Sequence, residues 1–356
     1  MNNANGMYYV PKSKVEKVCE EGDFKFAAVG LDHGHIYSMS AGLIGAGAEL
    51  KWVYDPDPKK VQAFCKEYPQ VKIASSEEEI LRDESINLIA SATITSNRCA
   101  VGLRAMDAGK DYFVDKAPLT TLEQLAKAKA KVKETGKKYA VYYAERIHNE
   151  SSVFAGQLVK EGAIGRVIQV LGMGPHREGL GRPEWFYEKD KFGGILCDIG
   201  SHQIEQILFY TGSTDAKVLH SKMGNYNHKQ YPNFQDFGDA TLITDTGATG
   251  YFRVDWFTPD GLGTWGDGRL FILGTEGYIE LRKYIDVANK STANHVYLVN
   301  KAGEEHFEVD NKVGFPYFGE LILDCLNRTE NAMTQEHAFK AAELCIKAQM
   351  QAEIVE

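Results

Sequence analysis

The chain has 356 residues, 44% of them hydrophobic, and 40 Lys+Arg against 49 Asp+Glu give a formal net charge of −9. That length allows two domains with a substantial core, and the acidic balance argues against a nucleic-acid partner. The longest basic cluster, Lys127 to Lys138, is interleaved with Ala, Val and Glu at helical spacing and reads as a solvated helix face.

Met1 to Phe24 have no apolar signal core and no twin arginine, and no later run is long enough to span a bilayer. Residues 1–23 read as an N-terminal extension. Cys19, Cys65, Cys99, Cys197, Cys325 and Cys345 lie far apart with no CxxC pair, so neither a zinc knuckle nor a disulfide framework is signalled. A cytoplasmic protein with no membrane partner is expected.

From Phe24 apolar runs alternate with helical patterns: FKFAAVGL, a helix from His35 to Ala46, ELKWVY, and a helix from Pro58 to Tyr68. The alternation continues through INLIASAT (86–93), a helix from Asn97 to Ala108, DYFVDK (111–116), a helix from Leu122 to Glu134, and KYAVYYA (138–144). This is βαβ grammar, and it predicts an α/β, doubly wound parallel sheet of the Rossmann type over 24–144. After Arg146 the grammar changes. A helix near Ser152 to Lys160 and a strand from Val167 to Gly172 precede a helix carrying Asp198. Strand-like runs DATLIT, TGYFRVDWF, GRLFILG, GYIELRKY and HVYLV then follow without helices between them, and a helical pattern from Glu336 to Ala352 closes the chain. Residues 145–356 are expected to form an α+β domain with a large, mainly antiparallel, open-faced sheet that binds substrate and mediates oligomerisation.

The first strand ends at Gly30, where a dinucleotide fold places its glycine turn against a pyrophosphate. The residues there read GLDHGH, so Asp32 and His35 stand where GxGxxG has its second and third glycines. Asp55 ends the second strand, where a carboxylate can accept hydrogen bonds from a ribose diol and favours NAD over NADP. His33 and His35, with Asp32 beside them, invite a metal reading. Ligands so close in sequence rarely converge on one ion without a distant fourth. The preferred reading therefore has no metal, with His35 capping the helix start and His33 facing the cofactor or substrate.

Lys116 terminates the fifth strand, and the carboxyl ends of strands in open α/β sheets face the binding crevice. The stretch GGILCDIGSH places Asp198 one helical turn before His202, with Cβ atoms expected about 5–6 Å apart. A neutral histidine near its unperturbed pKa of about 6.5 can take the hydroxyl proton of an alcohol that loses hydride.

Together these residues resemble the Gfo/Idh/MocA oxidoreductases. AGKDYFVDKAPL is similar to the family's AGKHVxxEKPL, KEGAIGRVIQV to its strand entry into the second domain, and GGILCDIGSH carries its GG-x3-D-x-G-x-H spacing. The resemblance implies that His202 is a general base, Asp198 orients it or binds hydroxyls, and Lys116 holds the reacting oxygen. Three departures stand out: Ala117 replaces the motif's proline, the turn after the fourth strand reads Thr93-Ile94-Thr95, and Arg98 takes the place of its later histidine.

Between Gly172 and Gly193, His176, Arg177, Arg182, Trp185, Phe186 and Tyr187 mix flat rings with hydrogen-bond donors, a combination that suits a sugar ring. His176, Arg177 and Trp185 are the chosen substrate candidates, with burial of the rings against a sheet face as the open alternative. The expected function is NAD-dependent oxidation of a secondary hydroxyl of a sugar, polyol or glycoside by a homo-oligomer, dimer or tetramer. Two other functions stay open: an enzyme that retains NAD and uses transient oxidation for glycoside cleavage, and a non-catalytic NAD-responsive regulator.

Overall fold

The alternating runs of the first third fold into a six-stranded parallel sheet. In the computed structural model, which describes residues 6–179, 182–289 and 293–355, its strands are β1 (Lys25–Val29), β2 (Glu49–Tyr54), β3 (Lys72–Ile73), β4 (Leu88–Ser91), β5 (Asp111–Asp115) and β6 (Tyr139–Tyr142). They lie in the order β3-β2-β1-β4-β5-β6, so the strand order reverses between β1 and β4. That reversal is where open α/β sheets place their ligands. The connecting helices are α1 (His35–Gly45), α2 (Pro58–Glu67), α3 (Glu77–Arg82), α4 (Arg98–Asp107) and α5 (Leu122–Thr135).

Local chemistry sets these boundaries. The Asp57 side chain accepts from the Lys59 amide at the start of α2, with Pro58 in the first helical position. Thr121 does the same for Gln124 at the start of α5, which ends on left-handed Gly136. Every residue of β4, β5 and β6 is buried, which is why these strands read as unbroken apolar runs. Two short elements carried no signal: β3 is two exposed residues, and α3 is a single charged stretch.

The later part of the chain forms a nine-stranded mixed sheet. Its strands are β7 (Val167–Pro175), β8 (Ala216–Gly224), β9 (Phe237–Thr244), β10 (Thr249–Asp255), β11 (Arg269–Gly274), β12 (Gly277–Arg282), β13 (His295–Asn300), β14 (Gly303–Glu308) and β15 (Glu353–Ile354), in the order β14-β13-β12-β11-β7-β10-β9-β8-β15. Two pairs, β7 with β10 and β8 with β15, run parallel, and the others are antiparallel. The remaining helices are α6 (Ala144–Ile147), α7 (Glu150–Lys160), α8 (Lys189–Phe192), α9 (Ile195–Asp198), α10 (Gly200–Thr211), α11 (Pro316–Asn327) and α12 (Gln335–Gln351). Helices α7, α9 and α10 pack on the sheet, while Leu171, Met173, Ile243 and Tyr251 alternate outward with more than a third of their surface exposed. All six cysteines are free thiols. Among the described residues no helix is long and apolar enough to cross a membrane.

The chain divides into two units, Met7–Tyr142 with Phe315–Phe339, and Tyr143–Gly314 with the chain from Lys340 onward. Two segments outside the alternating runs belong to the first unit. Of the N-terminal extension, residues 1–5 lie outside the described residues, and residues 7–23 belong to the parallel-sheet unit: Ser38 Oγ donates to Tyr9 O (2.7 Å) and the Val18 amide to Ala46 O (3.0 Å). The segment 315–339, expected in the second domain, joins the first unit. Its helix α11 lies so close to α1 that a Cβ on Gly42 would sit 2.3 Å from two Phe318 ring carbons.

Alanine in a helix ordinarily gains about 0.5–1 kcal/mol over glycine. At position 42 the fully buried Phe318 ring decides the sign. Gly42→Ala is expected to lower stability by about 1–3 kcal/mol in urea unfolding through overpacking, with partial recovery in Gly42→Ala/Phe318→Leu; a stabilised single variant would contradict this packing.

Candidate functional site

The carboxyl ends of β1, β2 and β4 meet at one turn. Gly30 has φ +75°, and a Cβ there would lie 2.6 Å from Thr93 Cβ, so both conformation and space require glycine. Its amide donates to Tyr54 O (3.0 Å) and its carbonyl accepts from the Ala92 amide (3.1 Å). Asp55, just past β2, is buried and accepts from the amides of Leu31 (2.7 Å) and Asp57 (2.8 Å).

Asp32, in place of the second motif glycine, accepts from Thr93 Oγ1 and the Ile94 amide, both at 3.0 Å. Lys60 reaches from α2 to pair with Asp32 at 2.5 Å and stands 3.9 Å from Asp55. That lysine compensates a carboxylate which would otherwise repel a pyrophosphate. Helix α1 starts after Gly34, which offers no side chain as a cap. The glycine cradle, the acidic group after β2 and the helix start at the switch point fit a dinucleotide.

Asp115, the last residue of β5, organises the adjoining cluster. Its Oδ1 accepts from the Lys116 amide and lies 2.8 Å from His35 Nδ1; its Oδ2 accepts from an Arg98 guanidinium nitrogen (3.0 Å) and lies 3.1 Å from His33 Nδ1. Burial alone would raise the Asp115 pKa, but His35, Arg98 and His33 overcome it and hold the carboxyl well below the usual range. Burial and the neighbouring His35 push His33 down to about 3, so its imidazole is neutral.

The capping role expected of His35 is corrected here. His35 does not cap α1, because its ring turns to Asp115. His33 Nδ1 instead lies 3.2 Å from the His35 amide at the helix start. Nor is Asp32 the acidic neighbour of this pair, since it belongs to Lys60 and the Thr93 turn.

Lys116 is 3% exposed and its backbone is held firmly. Arg98 donates to the carbonyls of Lys116, Ala117 (3.1 Å) and Thr93 (2.9 Å), and the Lys116–Ala117 peptide is cis. Arg98 was singled out only as a departure from a family pattern. Its signal in the sequence is a charged residue on the otherwise apolar face of α4, and its burial at 1% exposure requires partners.

Asp198 and His202 both lie in the other unit, and both are buried. The backbone stays right-handed helical through Ile199 (φ −73°, ψ −38°) but tightens there. Asp198 closes α9, its carbonyl accepts from Ser201 Oγ (2.7 Å), and the His202 amide donates three residues back to Ile199. Beside them lies a charge pair that sequence reasoning missed. Buried Glu145 accepts from Lys283 (2.9 Å) and Gln203 (3.0 Å), and Lys283 also donates to Gln206 (2.6 Å), whose amide group donates to the His202 carbonyl (2.7 Å). Burial opposes ionisation of Glu145, but Lys283, His202 and His176 outweigh it and bring the carboxyl to about 2.

The substrate candidates are placed unevenly. His176 packs its ring 4.6 Å from Trp265 and 5.5 Å from Trp256. Arg177 is committed to loop carbonyls, donating to Pro259 and Leu262 at 2.7 Å each. Trp185 is buried against Phe186, and Arg182 stacks over Phe186 and Trp256. These rings and guanidinium groups pack mainly on one another.

The His33 environment has a pH consequence. The folded state keeps this imidazole neutral down to about pH 3, whereas the unfolded chain protonates it from about 6.5 downward. The unfolded state therefore binds more protons in that window, and stability falls as pH is lowered through it. The urea midpoint is expected to drop less steeply from pH 6.5 to 4 in His33→Gln than in wild type; equal slopes would remove His33 from this role.

Comparison with known proteins agrees with the geometry. Residues 24–143 match the model of an oxidoreductase family with an NAD-binding Rossmann fold, and residues 153–280 match the Gfo/Idh/MocA C-terminal domain. The chain is 27% identical to scyllo-inositol 2-dehydrogenase (NAD(+)) of Bacillus subtilis, over 73% of this chain and 74% of that protein. It is 26% identical, over 52% of each, to the NADP(+)-dependent scyllo-inositol 2-dehydrogenase IolW of the same organism. A protein of Erwinia carotovora atroseptica SCRI1043 with a known crystal structure is 54% identical, with a TM-score of 0.92 over 94% of this chain and 100% of that one. With both domain models matched and a dinucleotide turn at the sheet's switch point, the chain belongs to the Gfo/Idh/MocA family of NAD(P)-binding oxidoreductases.

Proposed function

We propose that the protein oxidises a secondary hydroxyl of a sugar, polyol or glycoside, with NAD as its cofactor. The observation that carries this reading is Lys116, buried directly after the carboxyl end of β5 with its amide and carbonyl both fixed by Asp115 and Arg98. Relatives named as inositol and D-xylose dehydrogenases support the substrate class.

In this reading Gly30, Asp32, His33, His35, Asp55, Thr93 and Lys116 belong to the dinucleotide site. When bound, the dinucleotide accepts the hydride that leaves the substrate carbon. His202 takes the hydroxyl proton, Asp198 orients its ring, and Lys116 holds the substrate oxygen as it becomes a carbonyl. A positioned base is worth about 10²–10⁴ in rate. The Glu145 carboxylate, which interacts with His202 through charge, favours the imidazolium formed on proton uptake. Asp55 favours NAD by repelling a 2′-phosphate, and Lys60 beside it moderates that preference.

His176 remains the first substrate-side candidate, ahead of Arg177 and Trp185, whose groups are already engaged in packing. The exposed apolar positions on the nine-stranded sheet support a homo-oligomer formed through that face. A cytoplasmic location, with no metal in the reaction, completes the proposal.

His202→Ala is expected to lose activity by about 10²-fold or more while still binding NAD. The assay follows NADH absorbance and product mass together across polyols, free sugars, sugar acids and glycosides. Wild-type turnover in the variant would sink the base assignment. Altered product mass without NADH would replace simple dehydrogenation with a retained-cofactor reaction.

A further inference from the structure

The hairpin of β13 and β14 carries a group of side chains that the oxidoreductase reading does not use. We infer that His295, His306 and Glu308 form a binding site for a divalent transition metal of the zinc class.

The register makes the site. His295 lies opposite Glu308 and Tyr297 opposite His306, and residues two apart share a face, so all four side chains stand on one side of the hairpin. His295 Nδ1 and His306 Nε2 are 2.9 Å apart, and the ligand atoms of His295, His306 and Glu308 lie within 4.8 Å of one another. Two imidazole nitrogens facing each other at this distance share one proton. Without that proton they present two lone pairs to one point. A tetrahedral zinc with bonds of about 2.0–2.1 Å separates its nitrogen ligands by roughly 3.3 Å, so the pair need open only a few tenths of an ångström.

The donors are braced before any ion arrives. His295 is fully buried. The His306 ring lies flat on Tyr297, with centroids 4.4 Å apart and planes 5° from parallel. The Tyr297 hydroxyl donates to Asp286 (2.6 Å), which is fixed in turn by Arg282 (2.6 Å) and Asn289. His306 and Glu308 are exposed, which gives an ion a path from solvent and leaves a position for water. Two imidazoles and one carboxylate favour zinc-like ions over magnesium or calcium, which prefer all-oxygen shells. Glu304, two residues before His306 on the same face of the strand, adds negative charge on that side.

The other histidine cluster among the described residues, His33 and His35 with Asp115, is a poorer host. Both Asp115 oxygens already take donors, and one of them is the Arg98 guanidinium, whose positive charge opposes a cation there.

The test is calorimetric titration of the chelator-treated full chain with zinc chloride at pH 7.5, in wild type, His306→Gln, Glu308→Gln and His33→Ala. One equivalent is expected in wild type and in His33→Ala, bound at least tenfold more weakly in both hairpin variants. The two hairpin substitutions fall on exposed side chains, and far-UV circular dichroism checks that each variant is folded. No uptake by wild type, uptake unchanged in the hairpin variants, or loss of uptake in His33→Ala would each overturn the site. The results for the two hairpin variants do not bear on the dehydrogenase reading, because no residue of the hairpin takes part in it.

Discussion

A buried carboxylate must be matched by donors or lose its charge, and Asp115 is the place where this constraint shapes the dinucleotide unit. Its partners come from separate parts of the chain: His33 from the turn after β1, His35 from the first residue of α1, Arg98 from the start of α4, and the Lys116 amide from its own strand end. Arg98 extends the assembly by holding the carbonyls of Thr93 and Lys116. The turns after β1, β4 and β5 are thus fastened by one polar cluster. The unusual GLDHGH loop serves this cluster, since His35 supplies a ring that a glycine at that position could not.

The second unit solves the same problem with Glu145 and Lys283. Neither is exposed, Lys283 donates to Glu145 Oε2, and Gln203 and Gln206 add further hydrogen bonds to the pair. Removing one member would strand a buried charge, at a cost of about 3–5 kcal/mol. Because Gln206 also holds the His202 carbonyl, the pair steadies the turn that carries the proposed base. Electrostatic order within each unit therefore coincides with the residues on which the proposed chemistry depends.

Much of the fold was legible because burial leaves periodic traces. The unbroken apolar runs of β4 to β6 and the capped amphipathic helices α2 and α5 were visible as such. The largely exposed β14 and the two-residue β3 left almost none. For the candidate site, Thr93 enters through the family resemblance, and strand-end logic singles out Gly30, Asp55 and Lys116, because topology alone aims such positions at the ligand crevice. It could not pair His35 with Asp115, 80 residues away, or Glu145 with Lys283, 138 residues away. Such partners are set by three-dimensional packing, and no local period encodes them. The His35 ring turns away from the helix start for the same reason: the nearest acidic residue in sequence, Asp32, is not its partner in space.

The most direct test of this account is Asp115→Asn, with urea unfolding and NAD binding measured on the same preparation. A neutral amide cannot balance Arg98, so the account expects stability to fall by about 3–5 kcal/mol and NAD affinity to fall with it as the three turns loosen. A variant with the wild-type unfolding midpoint and wild-type NAD affinity would show that Asp115 does not organise this end of the sheet.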